Sequence, residues 1–174
     1  MNKPASPPSP PSDILLVPLL NRLAHHRGLY TGDGVNHAGD RFHAKLEIKA
    51  ELDTQLIAIR FRASDADNAF HEERTWITEN LLKGGIGLWT VSTNTPGILE
   101  MELVEDTNDG SYSTRAVFRL GNPDDLSRFR QEISLSIRHD GGLEYVYSWG
   151  VPHEKFGVKT KALLRPAVDT EQDW

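Results

Sequence analysis

The chain alternates apolar and polar residues in short segments from Tyr30 to Leu164, and Gly, Asn, Asp and Pro residues separate these segments. Between Phe42 and Leu52, for example, every even-numbered position from 42 to 50 is apolar and every odd-numbered one from 43 to 51 is polar or charged. Successive side chains of a strand point to opposite faces, so each segment has one inward and one outward face. About nine or ten such segments predict an all-β fold, a single antiparallel barrel that closes on itself.

Only one helix-like stretch precedes these strands. Residues 13–27 are predicted to be helical and to cover one mouth of the barrel, and Pro18 should divide the helix into two short pieces. Residues 1–12 contain five prolines and are expected to form a disordered, Pro-rich tail. The predicted organisation is therefore a tail, a barrel domain with its helix over 13–166, and a C-terminal tail over 167–174.

Charge and composition exclude several classes of function and indicate where the protein is located. The formal net charge of −6 argues against nucleic-acid binding, which needs basic residues to neutralise phosphates. The absence of cysteine excludes disulfides, thiolate metal sites and cysteine nucleophiles, and it fits a reducing compartment. The apolar run Ile14–Leu20 is too short for a signal peptide, and no stretch is long enough to span a membrane as a helix. We therefore expect a cytoplasmic protein, and the sequence leaves a homodimer open.

Motifs for catalysis and metal binding are missing. The histidines include no HExxH pair, and His71 and Glu72, as neighbours on a strand, would point to opposite faces and could not hold one ion together. Neither a GxSxG elbow nor a GxxxxGK loop is present. We therefore predict no catalytic residue and no metal ligand, and the barrel lumen becomes the place to look for a site.

One strand does not sort cleanly into an apolar and a polar face. In the segment from Phe70 to Thr78, the even face carries Glu72, Arg74 and Trp76, whereas the odd face carries His71 and Glu73. Either orientation takes ionisable groups inward, and the pattern leaves open whether Arg74 or Glu73 faces the lumen. With the even face inward, Arg74 would meet an anionic ligand group; the alternative is a Glu72–Arg74 pair at the solvent rim.

The candidate ligand-binding residues share a predicted inward position or, for Tyr30, a place at the start of the barrel. They are Tyr30, Phe42, Phe61, Glu72, Arg74, Trp76, Phe118, Tyr145, Tyr147 and Trp149.

Two sections of the chain resemble a known family. The short helix followed by Gly28-Leu29-Tyr30-Thr31-Gly32-Asp33-Gly34 resembles the glycine–aromatic–glycine opening of nitrobindin-like barrels, although that family usually has Trp in place of Tyr30. The closing section from Phe129 to Arg165 is also similar, with its Asp-Gly turn, Tyr-rich strand and last strand ending in Arg. These barrels belong to the calycin group, with the lipocalins and fatty-acid-binding proteins. The resemblance implies a calycin-like barrel.

The same resemblance bears on the cofactor. Nitrobindins bind haem through a histidine on the final strand, and Lys159 falls at that position in this chain. An ammonium group has no lone pair to give to iron. The nearest histidine, His153, precedes the strand. We therefore expect no cofactor.

Three functions remain open. The first is non-enzymatic binding of a small hydrophobic or amphipathic molecule in the lumen, as by a carrier or sensor. The second is an enzyme that uses a polar lumen, with Glu72, Arg74, His71 and the tyrosines as candidate groups. The third is a structural or interaction barrel whose inward aromatic side chains fill the core. A lumen of about 300 Å³ or more would separate the first two from the third.

Overall fold

The computed structural model describes residues 18–65, 68–108, 110 and 112–167. The predicted tail 1–12, the first part of the predicted helix and residues 168–174 lie outside the described residues. The helix and strands are α1 (Pro18–His25), β1 (Gly28–Asn36), β2 (Arg41–Glu51), β3 (Leu56–Asp65), β4 (Asn68–Glu79), β5 (Ile86–Ser92), β6 (Thr95–Thr107), β7 (Tyr112–Leu120), β8 (Arg130–Arg138), β9 (Leu143–Gly150) and β10 (Gly157–Pro166).

The ten strands form one closed barrel in which each strand pairs antiparallel with the next in the chain. Strand β10 returns to pair with β1 and closes the sheet, so the described barrel has no free edge strand. The predicted all-β barrel with a short N-terminal helix is therefore confirmed. Among the described residues, the single helix falls far short of the length and apolar character that crossing a membrane requires.

Helix α1 lies over one end of the barrel. Its buried residues Leu19, Leu20, Leu23 and Ala24 face the core. Polar contacts join the helix and the residue after it to the same end of the barrel: Asn21 with Thr54, Arg22 with Asp106 and His26 with Ser113. Pro18 is the first described helical residue, where its missing N–H costs no helix hydrogen bond. The bend predicted at Pro18 would involve the stretch before it, which lies outside the described residues.

The lumen is filled next to the helix. Leu46, Ile48, Ile57, Ile77 and Leu88 are each at most 1% exposed and come from four consecutive strands. Their inward positions follow the alternation of the sequence, and burying such side chains contributes roughly 1.5–3 kcal/mol each. The helical end is therefore a solid core, and any open space must lie toward the opposite end.

The glycine–aromatic–glycine opening forms strand β1 and has a packing reason. A Cβ on Gly32 would lie 2.1 Å from the carbonyl oxygen of Leu163, so only glycine lets β1 approach β10 this closely. The hydroxyl of Tyr30 donates a hydrogen bond to the His26 carbonyl at 2.9 Å and so ties the strand to the end of the helix. In this structure the motif therefore serves barrel closure.

Candidate functional site

A cavity of about 450 Å³ opens at the end of the barrel opposite α1. The turn between β1 and β2, the turn between β5 and β6 and the ends of β4 and β9 surround it. The lining residues are Asn36, His37, Phe42, Phe61, Ala63, Phe70, His71, Asn94, Thr95, Phe129, Tyr145, Tyr147, Trp149, Val151, Lys159 and Thr160.

Phe, Tyr and Trp side chains make up seven of the sixteen residues that line the cavity. Five of the ten predicted candidates lie here, namely Phe42, Phe61, Tyr145, Tyr147 and Trp149. The rings of Phe61 and Tyr145 stack with their centroids 4.8 Å apart, and Phe42 meets Phe70 edge-to-face at 5.7 Å. Such contacts hold the rings in place and leave their remaining surfaces toward the cavity.

A buried carboxylate lies beneath this wall. Glu73 on β4 is only 2% exposed, and its Oε1 accepts hydrogen bonds from the Tyr145 hydroxyl at 2.6 Å and the Thr75 hydroxyl at 2.8 Å. Thr75 Oγ1 lies in turn 3.0 Å from Thr90 Oγ1. A buried carboxylate needs such donors to offset its lost hydration. We call Glu73, Thr75, Tyr145 and His71 the buried polar cluster.

His71 connects this cluster to the cavity. Its Nδ1 lies 3.0 Å from the Asn94 side-chain nitrogen, which can only donate, so Nδ1 accepts and the ring proton belongs on Nε2. Nε2 faces Glu73 Oε2 at 3.8 Å. This separation is too long for a hydrogen bond, so the contact with Asn94 orients the imidazole, which lines the cavity with a buried carboxylate behind it.

The two tyrosines of β9 are held in their neutral form. Burial raises the pKa of Tyr145 well above its ordinary value, and the negative charge of Glu73 and the hydrogen bond to it raise it further. The pKa of Tyr147 is raised in the same direction, first by burial and then by Glu73. Both hydroxyls are therefore hydrogen-bond donors rather than nucleophiles at neutral pH.

Three predicted lumen residues lie on the outer face instead. Glu72 and Trp76 are exposed and Arg74 is half-buried, and none of the three lines the cavity. The register explains the correction: Glu73 pairs with the inward residue Phe61, whereas Arg74 pairs with Arg60 on the outside. The hypothesis that Arg74 meets a ligand in the lumen is therefore wrong.

Two further candidates are buried but do not line the cavity. Tyr30 packs at the helical end, where it bonds to the helix, and Phe118 is fully enclosed in the core. The apolar–polar alternation correctly predicted that Phe118 faces inward, but it does not determine how far along the barrel axis the residue lies. A contact of either ring with a ligand would require the core to open.

Lys159 lines the cavity because of a bulge. The register between β10 and β9 pairs Val158 with Ser148 and Thr160 with Tyr147, so Lys159 is the unpaired residue. Its Nζ lies 4.5 Å from the centre of the Trp149 ring, whose other neighbour is the imidazole of His37 at 6.3 Å. The apolar–polar alternation of the last strand predicts that Val158 faces inward, but in the structure Val158 is 60% exposed.

A similar irregularity brings Phe70 to the cavity. Ala63 pairs with His71 and Ser64 with Ala69, which leaves Phe70 as the extra residue of β4. Phe129 and Asn94 come from the loop before β8 and the turn before β6. These three residues are not among the predicted ligand contacts, because the alternation of the sequence shows neither the bulge at Phe70 nor where the loops lie.

Arg130 builds the rim of the cavity. Its side chain is fully buried, and its guanidinium donates to the carbonyl groups of Arg128, Val151 and Glu154 at 2.7–3.0 Å. These carbonyls belong to the loop before β8 and the turn after β9. One side chain therefore fixes two loops relative to each other, and Val151 in one of them lines the cavity.

Lys159, the residue that the resemblance to nitrobindins would place at their iron-binding position, does not fit haem. Lys159 presents an ammonium group there, packed over Trp149, and ammonium cannot ligate iron. His153 is exposed in the turn after β9 and is not among the residues that line the cavity. Within the described residues, no group of three or more His, Cys, Asp or Glu side chains could hold a metal ion.

Comparison with known proteins identifies the fold. No family model matches the chain, and no curated protein matches it. Among solved structures, the chain is similar to Rv2717c from M. tuberculosis, with 12% identity, a TM-score of 0.63, and coverage of 87% of this chain and 99% of that chain. The CRL protein of Arabidopsis is similar at 7% identity and a TM-score of 0.53, with coverage of 84% and 94%. At these identities, the likeness shows a shared barrel fold alone.

Proposed function

We propose that the protein binds a small hydrophobic or amphipathic molecule in the barrel lumen without changing it chemically. The observation that carries this proposal is the cavity of about 450 Å³ at the end of the barrel opposite the packed helical end. Sites for small molecules are typically concave, mostly apolar and roughly 300–1,000 Å³ in volume. A purely structural barrel would instead be expected to fill this space with its own side chains.

The character of the wall supports an amphipathic partner. Aromatic rings surround the cavity, while His71, Asn94, Thr95 and Tyr147 offer a few directed polar contacts. Apolar walls supply most of the binding free energy, and the polar groups orient the molecule. We further propose that the barrel is nitrobindin-like and of the calycin group, on the strength of the glycine–aromatic–glycine opening and the closing section, and that it acts in the cytoplasm.

Filling the cavity tests the proposal. Ala63 is buried and lines the cavity, whereas Ala58 on the same strand faces outward. We expect the neutral probe N-phenylnaphthylamine to bind the wild type saturably, and Ala63→Phe to weaken binding at least tenfold with Ala58→Phe unchanged. Far-UV circular dichroism verifies that both variants fold. Absence of saturable binding, or equal binding by Ala63→Phe, would refute the proposed site.

The buried polar cluster favours an acid–base enzyme as a second candidate. An imidazole lines the cavity with a buried carboxylate 3.8 Å from its Nε2, and general acid–base catalysis could use this pair once a bound substrate shortens the contact to a hydrogen bond. Of the candidate groups predicted for an enzyme, His71 and the tyrosines of β9 line the cavity, and Glu73 takes the place of Glu72 and Arg74. Native mass spectrometry of copurified molecules separates the two functions: a carrier retains the same molecule in the wild type and in Glu73→Gln, whereas an enzyme holds different species in the two.

A further inference from the structure

The charge of the cavity lining differs from that of the whole chain. The protein carries a formal net charge of −6, with 25 acidic and 19 basic residues. Among the described residues that line the cavity, however, there is no Asp or Glu, while Lys159, His37 and His71 are present. Glu73 lies behind the lining, where the hydroxyls of Tyr145 and Thr75 donate hydrogen bonds to its Oε1. The lining itself therefore offers an anion basic side chains and no carboxylate.

Lys159 lines the cavity because a backbone bulge turns its side chain inward. In regular alternation with the inward residues Ala162 and Leu164, residue 159 would face solvent, as Lys161 does. The bulge between Val158 and Thr160 breaks this alternation. Bulges commonly re-aim a side chain next to a functional site. Of the two lysines on β10, the bulge redirects only Lys159, and Lys159 lines the cavity.

The ammonium group of Lys159 has an aromatic neighbour and no acidic one. Among the described residues, no carboxylate lies within 4.0 Å of its Nζ, whereas Lys161 pairs with Glu144 at 2.9 Å on the outer face. The ring of Trp149 holds the ammonium at the mouth, with His37 against the same ring. We call Lys159, Trp149 and His37 the mouth cluster. It presents positive charge without an internal counter-ion.

We propose that the mouth cluster binds the anionic head of the ligand, so that the natural ligand is a small aromatic or otherwise planar acid. This inference rests on the proposed function and adds the chemical class and the orientation. The apolar body lies between the rings of the inner wall, and the carboxylate or sulfonate stays near Lys159, where water can still reach it. An anion placed there keeps part of its hydration, and the charge-assisted contact offsets the rest of the desolvation.

Two probes that share one ring system test the assignment. Anilinonaphthalene sulfonate carries an anionic group, and N-phenylnaphthylamine is its neutral counterpart. We expect Lys159→Met, which keeps the apolar stem over Trp149, to weaken the sulfonate probe roughly 5- to 20-fold. The neutral probe should change less than about twofold, which also shows that the variant is folded. Lys159→Arg should retain most sulfonate binding, and Lys161→Met on the outer face should change neither probe.

The outcomes separate this inference from the function on which it rests. If neither probe binds the wild type saturably, the cavity is not a binding site, and the proposed function fails. If both probes bind but Lys159→Met weakens them equally or not at all, the cavity binds ligands and the mouth cluster does not recognise the anion. Only a selective loss of the sulfonate probe, restored by Lys159→Arg, supports the inference.

Discussion

Removing the hydroxyl of Tyr145 tests whether the buried polar cluster stabilises the barrel. The hydroxyl donates to Glu73 Oε1 at 2.6 Å, and both side chains are 2% exposed. Tyr145→Phe keeps the ring and its stacking on Phe61, so the change isolates the hydrogen bond. A hydrogen bond to a charged group is worth about 1.5–3 kcal/mol. We expect a loss of about 1.5–2 kcal/mol, the lower part of that range, because the neighbouring cavity can supply water to the carboxylate.

The measurement is urea unfolding followed by far-UV circular dichroism. For a domain of this size, the expected loss corresponds to a decrease in Tm of about 3–8 °C. Tyr30→Phe is a matched comparison, since Tyr30 is 5% exposed and its hydroxyl donates to a neutral carbonyl at 2.9 Å. Its loss should be smaller, about 0.5–1.5 kcal/mol. If Tyr145→Phe costs no more than Tyr30→Phe, the charged character of the Glu73 contact is refuted.

A double-mutant cycle measures the coupling free energy between Glu73 and Tyr145. Glu73→Gln and Tyr145→Phe should each destabilise the protein, and the double variant should lose less than the sum of the two. For residues in direct contact, the coupling free energy is typically about 0.5–3 kcal/mol. Strict additivity would mean that the two side chains do not depend on each other for stability.

Two further predictions follow from the site. The pKa values of Tyr145 and Tyr147 are raised in the folded protein above the ordinary value of 10.0, so their contribution to stability is present below pH 10 and is lost as the pH rises above it. The unfolding free energy measured across this range should fall with a limiting slope of about 1.4 kcal/mol per pH unit for each such tyrosine. The slope for Tyr145→Phe should therefore be shallower than that of the wild type by about 1.4 kcal/mol per pH unit, and an unchanged slope would contradict the assignment. Haem added to the purified protein should give no sharp, saturable Soret shift, because Lys159 cannot ligate iron. A stoichiometric shift abolished by His153→Ala would instead identify that histidine as the ligand.

Strand β2 shows how much the alternation alone can predict. Its apolar residues occupy one parity without exception, so Phe42, Leu46 and Ile48 could be placed inward without any knowledge of their neighbours, and the structure agrees. The same reasoning placed Tyr145, Tyr147 and Trp149 toward the lumen, and all three line the cavity. Closure of the barrel followed from the number of such segments.

Strand β4 shows where that reasoning stops. Both of its faces carry ionisable groups and at least one large apolar residue, so hydrophobicity does not choose between them. The choice is made by partners distant in sequence: the Tyr145 hydroxyl satisfies Glu73 inside, while Arg74 lies opposite Arg60 outside. A buried charge is stable only where donors are in place. Those donors are known only once β9 has been positioned across the lumen from β4.

The barrel, the covering helix and the inward side of each regular strand follow from local periodicity, so they can be predicted before any contact between strands is known. The tertiary structure alone decided that the helical end is packed and the other end hollow, that Glu73 rather than Arg74 faces inward, and that Lys159 reaches the cavity. Each of these depends on register between strands. A single extra residue in a bulge, such as Phe70 or Lys159, reverses the side on which a residue lies, and alternation in one segment carries no information about it.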